Sequence, residues 1–163
     1  MYILDENCIA DNSKILVKEK EQNFFTYKSI KQILKLLEDK KEVFSFNFYN
    51  PMNRIIQIEF VGIQQFWQVQ SFSGSRLLIG VDAEIFVDGE WILVQDLRHH
   101  EKIYEYNLVQ EIYAETFIQD FHESKKTRGY RVIFEDQNGI CVNNYFIRFP
   151  ERIEEKEPEK VES

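Results

Sequence analysis

One helical window interrupts a chain that otherwise alternates apolar and polar residues with the period of a β-strand, and this imbalance narrows the fold to a mostly β one. Val43, Phe44, Phe46 and Phe48 make a strand over 43–48 that stops at the turn signal Tyr49-Asn50-Pro51. Residues 53–61 alternate, with Ile56, Ile58 and Phe60 on one face. Gly62 marks a bend, and 64–72 alternate again through Phe66, Gln68, Gln70 and Phe72. Ser73-Gly74-Ser75 turns the chain into short strands at 77–79 and 85–87. Asp88-Gly89 is a hairpin signal, with 91–94 as the return strand. Residues 102–121 read as long strands, with a helix over 108–121 as the alternative. Strands at 130–134, 140–142 and 145–149 follow, with Gln137-Asn138-Gly139 as a turn.

The exception is 29–39. Ile30, Ile33, Leu34 and Leu37 share one face of a helix, and Ser29 with Gln32 has the spacing of a capping box. The apolar face is expected to pack on the sheet. A short strand over 13–17 precedes it.

Fourteen Phe and eight Tyr in 163 residues suit strands and a sizeable core. The pattern predicts one domain over 1–150. Residues 151–163 hold six Glu, with only Ile153 and Val161 apolar, and are expected to form a disordered acidic tail. A net charge of −8 speaks against nucleic acid and anionic lipid as partners. Cys8 and Cys141 stand far apart and form no metal-ligand spacing or disulfide framework, though one bridge is open to them if the fold brings them together. No metal and no cofactor is expected. No apolar run reaches the length of a membrane span, and 1–7 lacks the basic and apolar regions of a signal peptide, so a cytoplasmic protein is expected.

Three segments carry a further pattern. Cys8-Ile9-Ala10-Asp11-Asn12-Ser13 leads into the apolar strand Ile15-Leu16-Val17. The middle segment, 77–104, holds Gly80-Val81-Asp82-Ala83, then Asp88-Gly89-Glu90-Trp91, then Gln95-Asp96-Leu97 and His100-Glu101. The closing segment, 129–149, holds Tyr130-Arg131-Val132, Glu135-Asp136, Ile140, Asn143-Asn144, Tyr145-Phe146-Ile147 and Arg148-Phe149. In order and spacing these resemble the opening, middle and closing motifs of Hint (hedgehog/intein) domains. The resemblance implies a compact, mostly β, Hint-like fold with one short amphipathic helix, in which Cys8 lies close to 80–83 and 147–149.

In that family the opening Cys attacks the carbonyl before it to give a thioester. A Thr and a His of the middle motif strain and protonate the scissile amide. In splicing members a terminal Asn then cyclises, helped by the His before it. The resemblance puts Cys8 at the nucleophile. It puts Gly80 at the Thr, Ala83 at the His, Arg131 at the motif Asp, Arg148 at the closing His and Phe149 at the closing Asn. Ala83 has no side-chain group to carry a proton. Phe149 has no side-chain amide to cyclise, and Pro150 offers no downstream nucleophile. The expected protein is therefore a Hint-like domain that has lost splicing and autocleavage and acts as a binding or structural module for an unidentified protein partner. The alternative is an autoprocessing domain that uses Cys8 for an N–S acyl shift and cleaves between Asn7 and Cys8. A third reading is an unrelated β-barrel or β-sandwich.

The remaining chemistry-bearing residues read more simply. Cys8 itself reads more readily as a buried small hydrophobe than as a live nucleophile, and Cys141, between Ile140 and Val142, as a core residue. His99 and His100 are adjacent and would face opposite sides of a strand, which suits a shared metal poorly; both read as turn or surface residues, and one of them replacing the missing motif His is the rival use. His122 sits in a polar stretch and is expected to be solvated. Asp82, Glu84 and Asp96 are expected as surface acids, and Trp67 and Trp91 as packing aromatics. Phe44, Phe46, Phe48 and Tyr49 could cover both faces of their strand, an exposed part offering a partner site.

Overall fold

The computed structural model describes residues 7–46, 52–98, 101–107, 110, 112–136 and 139–150. In chain order the elements are β1 (Ile9–Ala10), β2 (Lys14–Glu19), β3 (Thr26–Ser29), α1 (Ile30–Glu38), β4 (Val43–Ser45), β5 (Asn53–Ser71), β6 (Arg76–Ile79), β7 (Glu84–Val87) and β8 (Glu90–Leu93). A 3₁₀ turn (Val94–Asp96) leads to β9 (Lys102–Asn107), β10 (Ile112–Phe134), β11 (Ile140–Val142) and β12 (Tyr145–Arg148). The domain is mostly strand, with antiparallel pairing throughout the described ladders.

The frame is a long antiparallel ribbon of β5 and β10, paired from Ile118↔Ser71 to Phe134↔Ile55. The first part of β10 leaves this ribbon to pair with β9. At the other end β1 is held between β10 and β6, with Ile9 opposite both Tyr130 and Ile79. The second half of the fold runs β4–β2–β11–β12–β9, with β7 and β8 at its margin and β3 against β2.

Two readings change here. The separate strands expected at 53–61 and 64–72 are one strand. Phe60 pairs with Tyr130 and Ile63 with Arg128, so two residues of β5 face one of β10. That is a β-bulge, and Gly62 adopts φ +90, which bends the strand without ending the ladder. Likewise the strands expected at 102–121 and 130–134 resolve into β9 and a continuous β10, and the helix over 108–121 is replaced by the β9–β10 ladder. The strand expected over 43–48 is described only as Val43–Ser45; Phe48 and Tyr49 lie outside the described residues, as do His99, His100 and the acidic tail.

The helix forms where its cap predicts. Ser29 Oγ accepts from the Gln32 backbone N–H at 3.2 Å, and Gln32 Oε1 accepts from the Ser29 N–H at 2.8 Å. Ile30 and Ile33 are buried, and Leu36 and Leu37 pack on the core. Leu34 is 37% exposed, so the buried face keeps Ile30, Ile33 and Leu37 of the expected stripe and takes Leu36 in place of Leu34. The Asp88-Gly89 hairpin also holds: both residues have positive φ, at 50° and 83°, inside the Val87↔Glu90 pair.

A polar network runs beneath the β11–β12 turn, along the wall of a cleft. The Tyr27 hydroxyl donates to Asn144 Oδ1 at 2.6 Å and lies 3.4 Å from Cys141 Sγ. Tyr145 donates to the Ser75 carbonyl at 2.6 Å and accepts from the Ser71 N–H at 3.0 Å. Glu105, 8% exposed, accepts from the hydroxyls of Ser71 and Ser73. Burial pushes the Cys141 thiol up from 9.0 to about 12 and raises the Tyr27 and Tyr145 hydroxyls above their ordinary value of 10.0. Cys8 and Cys141 are not bonded to each other.

Two outcomes follow from this packing. A Cβ on Gly139 (φ +95) would lie 2.6 Å from Trp91 Cη2 and 2.7 Å from the Ile147 carbonyl, whereas Gly74 (φ +100) has nothing within 4 Å. Urea unfolding is expected to show Gly139→Ala losing roughly 2–4 kcal/mol and Gly74→Ala only about 1 kcal/mol. The raised groups are neutral when protonated, so their contribution to stability is complete below about pH 9 and is lost as the unfolded chain ionises first. Urea midpoints are expected to fall as pH rises from 9 toward 12, with a shallower fall in Cys141→Ala.

Candidate functional site

Being only two residues long, β1 owes its place to the strands on either side. Its Ile9 ladder partners set the chain so that the Cys8 carbonyl accepts from the Gly80 N–H at 2.9 Å, at the exit of β6. One residue earlier, Asn7 Nδ2 donates to the Pro150 carbonyl at 2.9 Å. The peptide bond before Cys8 and the end of β12 thus meet at one place, beside the loop that carries Gly80 and Ala83. This is the proximity the three sequence motifs implied.

The side chains at this junction are another matter. Cys8 is fully buried in an apolar cluster with Ala10, Phe66 and Leu78, flanked by Val61. Gly129 makes room for it: a Cβ there would stand 3.1 Å from Cys8 Sγ, 3.0 Å from Gln64 Cγ and 3.2 Å from Phe66 Cζ. Gln64 is itself buried, with Nε2 donating to the Val61 carbonyl at 2.6 Å.

Gly80 is buried and contributes backbone. Its carbonyl accepts from the Ala83 N–H at 3.3 Å, and the Ala83 carbonyl accepts from the Val94 N–H at 2.8 Å. The Ala83 methyl is fully buried in the main core. Arg131 sits opposite Glu59 in the β5–β10 ribbon and its Nε donates to Glu59 Oε1 at 3.3 Å. Arg148 sits opposite Glu84, donates to its carboxylate, and lays its guanidinium 4.7 Å from the centre of the Trp91 ring. Phe149 is 5% exposed and packs in the core, 6.4 Å from Phe134 between ring centres.

The other candidates disperse. Glu84 is engaged by Arg148, while Asp82 accepts from Gln95 Nε2 at 3.3 Å, so the two do not act as a carboxylate pair. Asp96 is exposed in the 3₁₀ turn. His122 is exposed with Nδ1 2.9 Å from Asp120. Trp67 packs on Phe121 at 4.9 Å, and Trp91 on Phe86 at 5.2 Å. Phe46 packs against Tyr106 at 4.6 Å and Phe25 at 5.3 Å, with Phe44 half-buried. Sequence reasoning missed the Tyr27, Asn144 and Glu105 network; the only trace is a Glu at a strand position otherwise flanked by aromatics. Among the described residues no group of three or more His, Cys, Asp or Glu could hold a metal ion, and no helix is long and apolar enough to cross a membrane.

No family model matches the chain, and no curated protein sequence matches it. Solved structures do. A DnaB intein from Synechocystis sp. PCC 6803 superposes with a TM-score of 0.72 at 12% identity, over 88% of this chain and 98% of that one. An intein from a hyperthermophile gives 0.71 at 12% identity, over 88% and 99%. The VidaL intein gives 0.71 at 8% identity, over 91% and 100%. At such identities the likeness is one of fold, and with the junction geometry beside it the conclusion is that this chain adopts the compact Hint fold of the inteins.

Proposed function

We propose that this Hint-fold domain has lost both protein splicing and self-cleavage and works as a binding or structural module. The observation that carries the reading is the fate of the reactive positions. Ala83 and Phe149 are core residues, and Arg131 and Arg148 are held in cross-strand ion pairs. Asparagine cyclisation needs a side-chain amide at the closing position, and Phe149 has none. Attack by Cys8 needs the peptide nitrogen of its own residue to gain a proton as the bond breaks, and Ala83 has no side-chain proton to give. Each such acid–base group is worth on the order of 10²–10⁴ in rate.

The second reading is cleavage between Asn7 and Cys8 through an N–S acyl shift, with Cys8 as the nucleophile. The contact between Asn7 and Pro150 favours it, because the junction persists at the point where the thiol resides.

Intact mass over days separates the two. A stable domain fused ahead of Met1 is incubated with and without a strong thiol. The proposal predicts an unchanged mass in both. Release of the fusion together with residues 1–7, abolished by Cys8→Ala, would establish the second reading instead. Restoring the motif histidine alone is not expected to help: Ala83→His places an imidazole in a filled core and is expected to cost about 3 kcal/mol in urea unfolding without producing cleavage.

A further inference from the structure

Two clefts open at the end of the fold where β2, β6 and the β11–β12 turn meet. One, about 310 Å³, lies between Lys14, Tyr27, Arg76 and Asn143. The other, about 320 Å³, lies between Asn12, Gln68, Arg76, Lys125 and Asn143. Arg76 and Asn143 line both, so the clefts adjoin along these two side chains and make one basic groove surface. The chain carries a net charge of −8, yet no carboxylate lines either cleft, while three cations do. Lys14, Arg76 and Lys125 form no ion pair among the described residues.

The groove is held rather than draped. Asn143 accepts from the Lys14 N–H at 2.8 Å through Oδ1 and donates to the Arg76 carbonyl at 2.8 Å through Nδ2. Its own N–H donates to the Lys14 carbonyl at 3.0 Å. One side chain thereby ties together the backbones of β2 and β6 at the residues that carry two of the cations. The neutral groups around them, the amides of Asn12 and Gln68 and the hydroxyl of Ser124, can each donate a hydrogen bond. A third, larger cleft of about 750 Å³ adjoins through Tyr27, Ser75 and Asn144 and carries Glu105 and Glu115, so the surface changes sign along its length.

We propose that the Arg76–Lys125–Lys14 groove binds a small polyvalent anion of the phosphate class. Arg76 supplies a planar fork of donors, the two lysines supply charge, and the amides fill the remaining oxygens. The acidic cleft next to it repels the anion from that side and fixes where it sits. The dimensions suit a small molecule rather than a polymer. This gives the binding role proposed above a ligand class, and the groove takes no polar group from the junction of Asn7, Cys8 and Pro150.

The test is a ¹⁵N–¹H NMR titration of the full chain with sodium pyrophosphate, ionic strength held constant with sodium chloride. Saturable shifts are expected at the amides of Asn12, Lys14, Gln68, Arg76 and Asn143. Arg76→Gln and Lys125→Gln are each expected to weaken binding about tenfold, while Lys31→Gln and Lys35→Gln on α1 change it less than about twofold. Shifts that do not saturate, that chloride alone reproduces, or that fall equally in the α1 variants would overturn the proposal and leave only diffuse surface charge. Cys8→Ala is expected to bind as the parent does, so the fate of the cleavage reading and the fate of this site are read separately.

Discussion

The place of β1 is the constraint on which this fold turns. Two residues cannot form a strand that stands alone, because each buried N–H and C=O left without a partner costs free energy that a short segment has no means to offset. Ile9 and Ala10 resolve this by pairing on one edge with β10, while Ile9 also faces β6, and the Cys8 carbonyl is met by the Gly80 N–H. The start of the domain is thus stitched between its longest strand and its middle segment. The stitch is made of backbone, and backbone does not depend on which side chains the segment carries.

That separation lets the backbone geometry stand whatever side chains the segment carries. The junction around Asn7, Cys8, Gly80 and Pro150 rests largely on main-chain groups and on the Asn7 amide. The side chains of Ala83, Arg131, Arg148 and Phe149 are engaged in packing and cross-strand ion pairs. At Arg148 the contact is concrete. A cation stands between Glu84 on the paired strand and the face of Trp91, with 28% and 18% side-chain exposure for Arg148 and Glu84. A partly buried contact of this kind is worth about 1 kcal/mol or more, so it stabilises the place where β12 meets β7. Phe149 extends the core with its ring near Phe134.

Much of this was legible in the residues. The capping box of Ser29 and Gln32, the Asp88-Gly89 hairpin and the order of the three motif segments all depend on local chemistry, and local chemistry is what a sequence displays. The long strands were harder. Gly62 reads as a break because glycine weakens a strand, and only the continuous partner β10 turns that break into a bulge. Residues 112–121 read as strand with a helix as the alternative, and their ladders with β9 and β5 decide for strand. Leu34 was placed on the buried face because spacing does not reveal which way a helix rolls on the sheet; Leu36, absent from the expected stripe, packs on the core instead. The Glu105 and Tyr27 network was hidden for a related reason: its members lie far apart in sequence and meet only when β3, β5, β9 and the β11–β12 turn converge.

The β11–β12 turn draws these threads together. Asn143 and Asn144 both have positive φ, at 50° and 78°, between the paired Val142 and Tyr145. A two-residue turn of this kind suits the twist of a hairpin, and asparagine tolerates the left-handed region better than other side-chain-bearing residues. Because both residues are asparagine rather than glycine, the turn also carries two amides. One joins Tyr27 to Ser75 on the wall of the larger cleft. The other faces the surface and ties β2 to β6 beside Lys14 and Arg76. A conformational requirement of the hairpin has thereby placed hydrogen-bonding groups on both of its sides, linking the Tyr27 and Glu105 network to the basic groove without any contribution from the junction of Asn7, Cys8 and Pro150.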